Sequence, residues 1–194
     1  MPKTKGPKVF LILGTPAANL IQLAAEFSSV SLDISIVKPK KGERIPAVKL
    51  NLPGSTVPLT QPLATATFIA TGRFCRGLDL KEECRILQWM YYARDEAHNT
   101  VGAFAVSKDA KEREAVMSMF QSLNGALRDR TFLATERLSL ADCAVAVEVL
   151  PACLALGKEE DCNRERLPHL FRWINTCIHQ KEFVAVFGKI DQLY

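Results

Sequence analysis

Histidine is scarce in this chain of 194 residues, and its three copies, His98, His169 and His179, stand alone. No H-x-x-x-H spacing offers two imidazoles to a metal from one helix face, so each reads as a surface or packing residue. Cysteine spacing is equally unhelpful to a metal. Among the six cysteines the nearest neighbours are Cys75 with Cys84 and Cys153 with Cys162, well beyond a CxxC pair. Most of them fall in helical apolar patterns, where a free thiol acts as a small hydrophobe, and a reduced compartment is expected. No glycine-rich phosphate loop occurs. No long apolar run occurs either: the best, Val9 to Ala25, is broken by Gly14, Pro16, Asn19 and Gln22. Behind Met1-Pro2-Lys3-Thr4-Lys5 there is no immediate apolar signal region, and a cytoplasmic protein is the expectation. The net charge of +4 is mild, below what a dedicated nucleic-acid binder carries.

What is present is a chain of two characters. Lys8 to Leu13 is a β-rich run ended by Gly14-Thr15-Pro16, with proline suited to a first helical position. Leu20, Leu23, Ala24 and Phe27 then follow helical spacing, and Leu32 to Val37 alternates as a strand. Lys38-Pro39-Lys40-Lys41-Gly42-Glu43-Arg44 is a basic loop too short for a helix. Ile45 to Asn51 and Thr56 to Thr60 flank Leu52-Pro53-Gly54-Ser55 and predict a β-hairpin. Leu63 to Phe74 predicts one further helix. After Arg76-Gly77-Leu78-Asp79 the pattern is helical throughout, in Cys84, Leu87 and Tyr91, in Val116, Met119, Phe120, Leu123 and Leu127, and in Leu167, Leu170, Phe171, Ile174 and Ile178. Glu159 to Arg166 is a charged linker, and Lys181 to Ile190 reads as a last short helix. The expected organisation is an α/β half over residues 1–77 and an all-α half over residues 81–194.

The most telling segment is Phe132-Leu133, a loop, and then Ser139-Leu140-Ala141-Asp142. Ser139 and Asp142 have the spacing of a capping box, which makes a structural role for Asp142 the reading rather than a catalytic one. From Cys143 to Leu156 the chain is almost wholly apolar, which places that helix inside a helical domain. Trp89 and Trp173 sit in helical patterns and read as fillers between helices.

That motif resembles the core of the C-terminal domain of the glutathione-transferase superfamily. The resemblance implies a shortened thioredoxin-like half, its mixed sheet lacking the second helix, followed by an all-α half. Within the superfamily, Leu167-Pro168-His169-Leu170-Phe171-Arg172-Trp173, Thr176 to Phe183 and Val186-Phe187-Gly188 resemble the gamma subunits of translation elongation factor one. They also resemble the like domains appended to aminoacyl-tRNA synthetases and their tRNA-binding cofactors. The resemblance implies a module that pairs with other domains of its kind, itself included, with synthetases or elongation-factor subunits as partners and tRNA held through an appended domain. It also implies that Ile45-Pro46 opens the hairpin through a cis-proline.

A working transferase needs a hydroxyl or thiol after the first strand and a Glu/Gln-Ser pair opening the third helix. Here Thr15 is the only candidate hydroxyl, and Gln61 is followed by Pro62, which supplies neither a hydroxyl nor an N–H. With Pro46 as the one match, the glutathione site reads as degenerate, no catalytic residue is assigned and no cofactor is expected. A divergent transferase remains the rival. A third reading is an RNA contact through Lys38, Lys40, Lys41 and Arg44, aided by Lys3, Lys5 and Lys8. Phe68, Ile69, Phe74 and Cys75, with Trp89 to Tyr92, offer more bulk than one core takes. Phe68, Phe74, Met90 and Tyr91 are therefore candidate partner contacts, since family dimers pair through these helices. The resemblance to translation-associated relatives implies a second pairing surface, near Arg137 and Glu148 to Arg166.

Overall fold

In a computed structural model, the described residues are 7–40, 43, 45–52, 54–107, 109–191 and 193. Strand β1 (Lys8–Leu11) lies centrally in a three-stranded sheet of order β2-β1-β3. β2 (Asp33–Ile36) runs parallel to it and β3 (Val48–Leu50) antiparallel, with Phe10 opposite Ser35 on one side and Lys49 on the other. The two-residue period puts Val9, Leu11, Val48 and Leu50 on a buried face that joins the core, and Lys8, Phe10 and Lys49 on the opposite face. The predicted partner strand at Thr56 to Thr60 is reduced to one bridge, Leu50 with Leu59, because only Leu59 reaches back to exchange both hydrogen bonds. Pro53, in the expected turn, lies outside the described residues.

Helix α1 (Pro16–Ser28) joins β1 to β2 and buries Ala18, Leu20, Ile21, Leu23, Ala24 and Ala25. The single helix expected over Leu63 to Phe74 is two: α2 (Pro62–Ile69) and α3 (Arg73–Arg76). Ala70 leaves the helix in an extended conformation and Gly72 takes φ 57, while the Thr71 N–H is drawn to the Ser28 hydroxyl at 3.0 Å. The junction into the helical half needs its glycine. Gly77 has φ 70, and a side chain there would meet Glu82 Cβ at 2.6 Å.

The helical half starts with α4 (Leu80–Tyr92), capped by Asp79, whose carboxylate accepts the Glu82 N–H at 2.8 Å. A π-helical stretch, Ala93–Ala97, leads directly into α5 (His98–Ser107). α6 (Ala110–Ala126) is capped in the same way by Asp109. α7 (Leu140–Leu156) is the predicted inner helix and packs against α1, α4, α5 and α8. α8 (Pro168–Ile178) and α9 (Lys181–Phe187) complete the order. α9 stops three residues short of Ile190 because Gly188 turns to φ 75.

The segment ahead of α7 is held by one carboxylate. Asp142 Oδ1 accepts the Leu133 N–H at 2.9 Å and the Trp173 indole N–H at 3.0 Å. Its Oδ2 accepts the Ser139 N–H at 2.9 Å and the Ser139 hydroxyl at 2.8 Å. The capping box is present, and Asp142 also ties the loop to α8, which the spacing of Ser139 and Asp142 alone does not show. Among the described residues, no helix is long and apolar enough to cross a membrane.

Candidate functional site

The sheet half and the helical half face each other across a cleft of about 540 Å³. One wall carries Thr15, Pro16, Ala17 and Leu20 from the start of α1, Ala47, and Pro62 and Leu63 from the start of α2. The other carries Arg94, Asp95, His98 and Asn99 from the π-helical stretch and α5, and Ala144 and Glu148 from α7. The chain therefore brings together Thr15 and Pro62, two members of the candidate site.

Thr15 is already committed. It is the N-cap of α1, its hydroxyl donating to the Ile12 carbonyl at 2.8 Å and accepting the Ala18 N–H at 3.2 Å. A hydroxyl whose proton points into a backbone carbonyl is not aimed at a thiol in the cleft. Pro62 occupies the first position of α2 and supplies no N–H to an anion, and Gln61, ahead of it, makes no side-chain cap bond. Pro46 is exposed and does not line the cleft. There is no cis peptide bond among the described residues, so Pro46 follows a trans bond, against the expectation carried by the resemblance. The chain enters β3 extended, with Ala47 accepting the Ile12 N–H at 3.0 Å.

His98 is not isolated. Its Nδ1 lies 3.0 Å from Glu148 Oε2, linking α5 to α7 on the same wall of the cleft. Glu148 is largely buried, and burial pushes its carboxyl above the usual 4.5, while the bond to His98 pulls it back. No distance rule in the sequence signals this pair. Fifty positions separate the two residues, and His98 opens α5 directly after the π-helical stretch. An imidazole oriented by a buried carboxylate can move protons, yet the hydroxyl on the facing wall is occupied with capping. Among the described residues, no three metal-binding side chains are grouped.

The candidate interface divides. Met90 is only 2 % exposed and packs in the core with Ile86, so it belongs to the inner face of α4 and not to a partner surface. Ile69 and Cys75 are likewise buried. Phe74 is half-buried and stacks on Phe27 with ring centroids 5.0 Å apart. Phe68 and Tyr91 are each 55 % exposed. The rhythm of Cys84, Leu87 and Tyr91, expected to mark the core side of α4, instead faces solvent together with Leu80. Helix α4 is apolar on two faces, and spacing does not say which one turns inward. Arg137 is half-buried with one guanidinium nitrogen 3.8 Å from Glu82, and that nitrogen has no hydrogen-bond partner among the described residues. Of the basic loop, Lys38 and Lys40 are exposed, whereas Lys41 and Arg44, like Lys3 and Lys5, lie outside the described residues.

Two solved transferases share this layout. A Gtt2-class enzyme of Vibrio parahaemolyticus superposes with a TM-score of 0.78, covering 94% of this chain and 98% of its own at 14% identity. A delta-class enzyme of Nilaparvata lugens gives 0.76, covering 92% and 91% at 16% identity. The chain has the glutathione-transferase fold. Residues 87–181 match the family model for the glutathione S-transferase C-terminal domain. In sequence, this transferase-like chain is 31% identical over 194 residues to elongation factor 1-gamma of Carassius auratus, covering 87% of this chain and 43% of that protein. It is 35% identical over 122 residues to the valine–tRNA ligase of Takifugu rubripes, covering 57% of this chain and 10% of the ligase. The chain thus spans less than half the length of the curated relatives it matches.

Proposed function

We propose that this chain is a non-catalytic, glutathione-transferase-like docking module of a cytoplasmic, translation-associated protein. Its partners are transferase-like domains, either of aminoacyl-tRNA synthetases or of elongation-factor subunits, and tRNA is held by an appended domain. The single observation that carries this reading is the solvent-facing apolar row Leu80, Cys84, Leu87 and Tyr91 on α4. Leu80 is 74 % exposed. A row at positions i, i+4, i+7 and i+11 is the recognition face of a helix, and leaving it wet is costly unless a partner covers it. The names of the relatives supply the class of partner, since one is an elongation-factor subunit and another a tRNA ligase.

The cleft supports the non-catalytic half of the proposal. The hydroxyl that would have to activate a thiol is spent on capping α1, and the anion-binding start of α2 carries proline. The test is affinity capture of the full-length protein from cytosol at low and moderate salt, with partners identified by mass spectrometry and the same material passed over immobilised glutathione. Synthetases or elongation-factor subunits that survive moderate salt are the expected outcome. Retention on glutathione with conjugating activity, and no translation partner, overturns it and makes the divergent transferase the better reading.

A further inference from the structure

The outer face of the sheet has a composition that neither the cleft nor the docking row requires. Its centre is Phe10 on the middle strand, half-buried, with the Lys8 ammonium 5.2 Å and the Lys49 ammonium 6.0 Å from the ring centroid. Register puts Ser35 beside Phe10 on β2 and Asp33 beside Lys8. By the same alternation Asn51 follows Lys49 on this face, its N–H bonded to the Lys8 carbonyl. Residues 37–47, which connect β2 to β3, form no helix among those described. They bring the exposed Lys38 and Lys40 past the end of β2. Lys8 and Lys49 make no ion pair among the described residues.

We infer that this sheet face binds single-stranded RNA, with one base stacked on Phe10 and the flanking phosphates taken by Lys8 and Lys49. The argument is chemical. A phosphate alone would need only the lysines, and an acidic peptide would gain nothing from an aromatic ring at their midpoint. A flat ring on the central strand, cations on both flanks and small hydrogen-bonding side chains alongside suit an unpaired nucleotide, which has a π-face, a charged backbone and polar edges. The two ammonium groups ride on flexible stems. They sit over the ring while it is free and can swing to phosphates when a base arrives. The mild net charge fits a weak, local contact. Asp33 offsets part of Lys8, so the Lys49 side is the stronger cation. This inference is independent of the docking proposal, because it uses the opposite half of the molecule and a different class of partner.

The experiment is fluorescence anisotropy of a labelled short oligouridylate against the full chain at low and moderate salt, with polyglutamate as competitor. Phe10→Leu should weaken binding by roughly five-fold or more at unchanged salt dependence, since stacking is lost and charge is not. Phe10→Tyr should bind as the parent does, which separates loss of the ring from misfolding. Lys49→Gln should weaken binding and lower the salt slope by about 0.7, one phosphate contact on a single strand. Lys111→Gln, an equal charge loss in the exposed first turn of α6, is the control and should leave both unchanged. The inference is overturned by no saturable binding at low salt, by a Phe10→Leu chain that binds like the parent, by a Lys111→Gln loss equal to that of Lys49→Gln, or by polyglutamate displacing the RNA at matched charge.

Discussion

The indole N–H of Trp173 donates to Asp142 Oδ1 at 3.0 Å, and both side chains are fully buried. The bond joins the middle of α8 to the first turn of α7, and the same carboxylate oxygen holds the Leu133 N–H of the incoming loop. Three segments thus meet on one side chain. Burial pushes the Asp142 carboxyl up, and the four donated hydrogen bonds pull it back. Asp142→Ala leaves an indole, a hydroxyl and two backbone N–H groups without an acceptor in a dry site. We expect a loss of about 3 kcal/mol or more in urea unfolding. Trp173→Phe removes one donor and keeps the ring, and should cost about 1 kcal/mol. If the two variants cost the same, the carboxylate is not the hub.

The two faces of α4 separate by mutation. Met90→Ala empties a core position and should cost about 2–5 kcal/mol, with any lost partner binding following from lost fold. Leu87→Glu and Tyr91→Glu change only the wet face, and their stability should stay within about 0.5 kcal/mol of the parent. Both should abolish the partner complex in co-purification while far-UV dichroism stays native. A Leu87→Glu chain that keeps its partners removes α4 from the interface.

These variants mark the limit of what spacing reveals. The capping pair Ser139 and Asp142, the apolar run to Leu156, the proline at the start of α1 and the glycine at Gly77 are local signals, and each is found where the pattern put it. Patterns that depend on the rest of the fold were misplaced. Leu87 and Tyr91 share a helical period with Ile86 and Met90, and only the packing of α7 against α4 decides which pair is covered. The break at Gly72 was hidden because Leu63 to Phe74 keeps helical composition across it, while the decisive Ser28 hydroxyl comes from α1. His98 and Glu148 were unreadable as a pair for the same reason, since their contact is made by topology and not by spacing. Within the cleft, the residue types at Thr15 and Pro62 were legible, but the commitment of the Thr15 hydroxyl to Ile12 was not.

Thr15 gives a prediction that sets a cap against a nucleophile. As the N-cap of α1 it satisfies the Ala18 N–H, and Thr15→Ala should cost about 1 kcal/mol of stability. Thr15→Ser keeps the hydroxyl and should restore most of that loss. In the docking reading, neither change alters conjugation of glutathione to an electrophile, because there is none above the uncatalysed rate. A measured turnover that Thr15→Ala removes and Thr15→Ser restores would make the hydroxyl catalytic.

The cleft pair predicts a pH dependence with a definite sign. Burial raises the Glu148 carboxyl above its usual 4.5, so the folded chain binds that proton more tightly than the unfolded one. Between the usual value and the raised one, the folded state holds more protons, and stability therefore falls as pH rises through that window. Above it the loss is complete and the contribution is flat. His98 limits the loss, because its bond to the carboxylate is one of the two influences pulling the Glu148 value down. His98→Ala should raise the Glu148 value further, widen the window and lower stability at neutral pH. Glu148→Gln abolishes the titration, so its stability should gain on the parent as pH rises from 4.5 and then run parallel to it. Urea unfolding at half-unit steps of pH for the three proteins provides the check. A parent and Glu148→Gln pair whose difference does not change with pH would mean that Glu148 keeps its ordinary affinity for the proton, and that His98 holds it as strongly as water does.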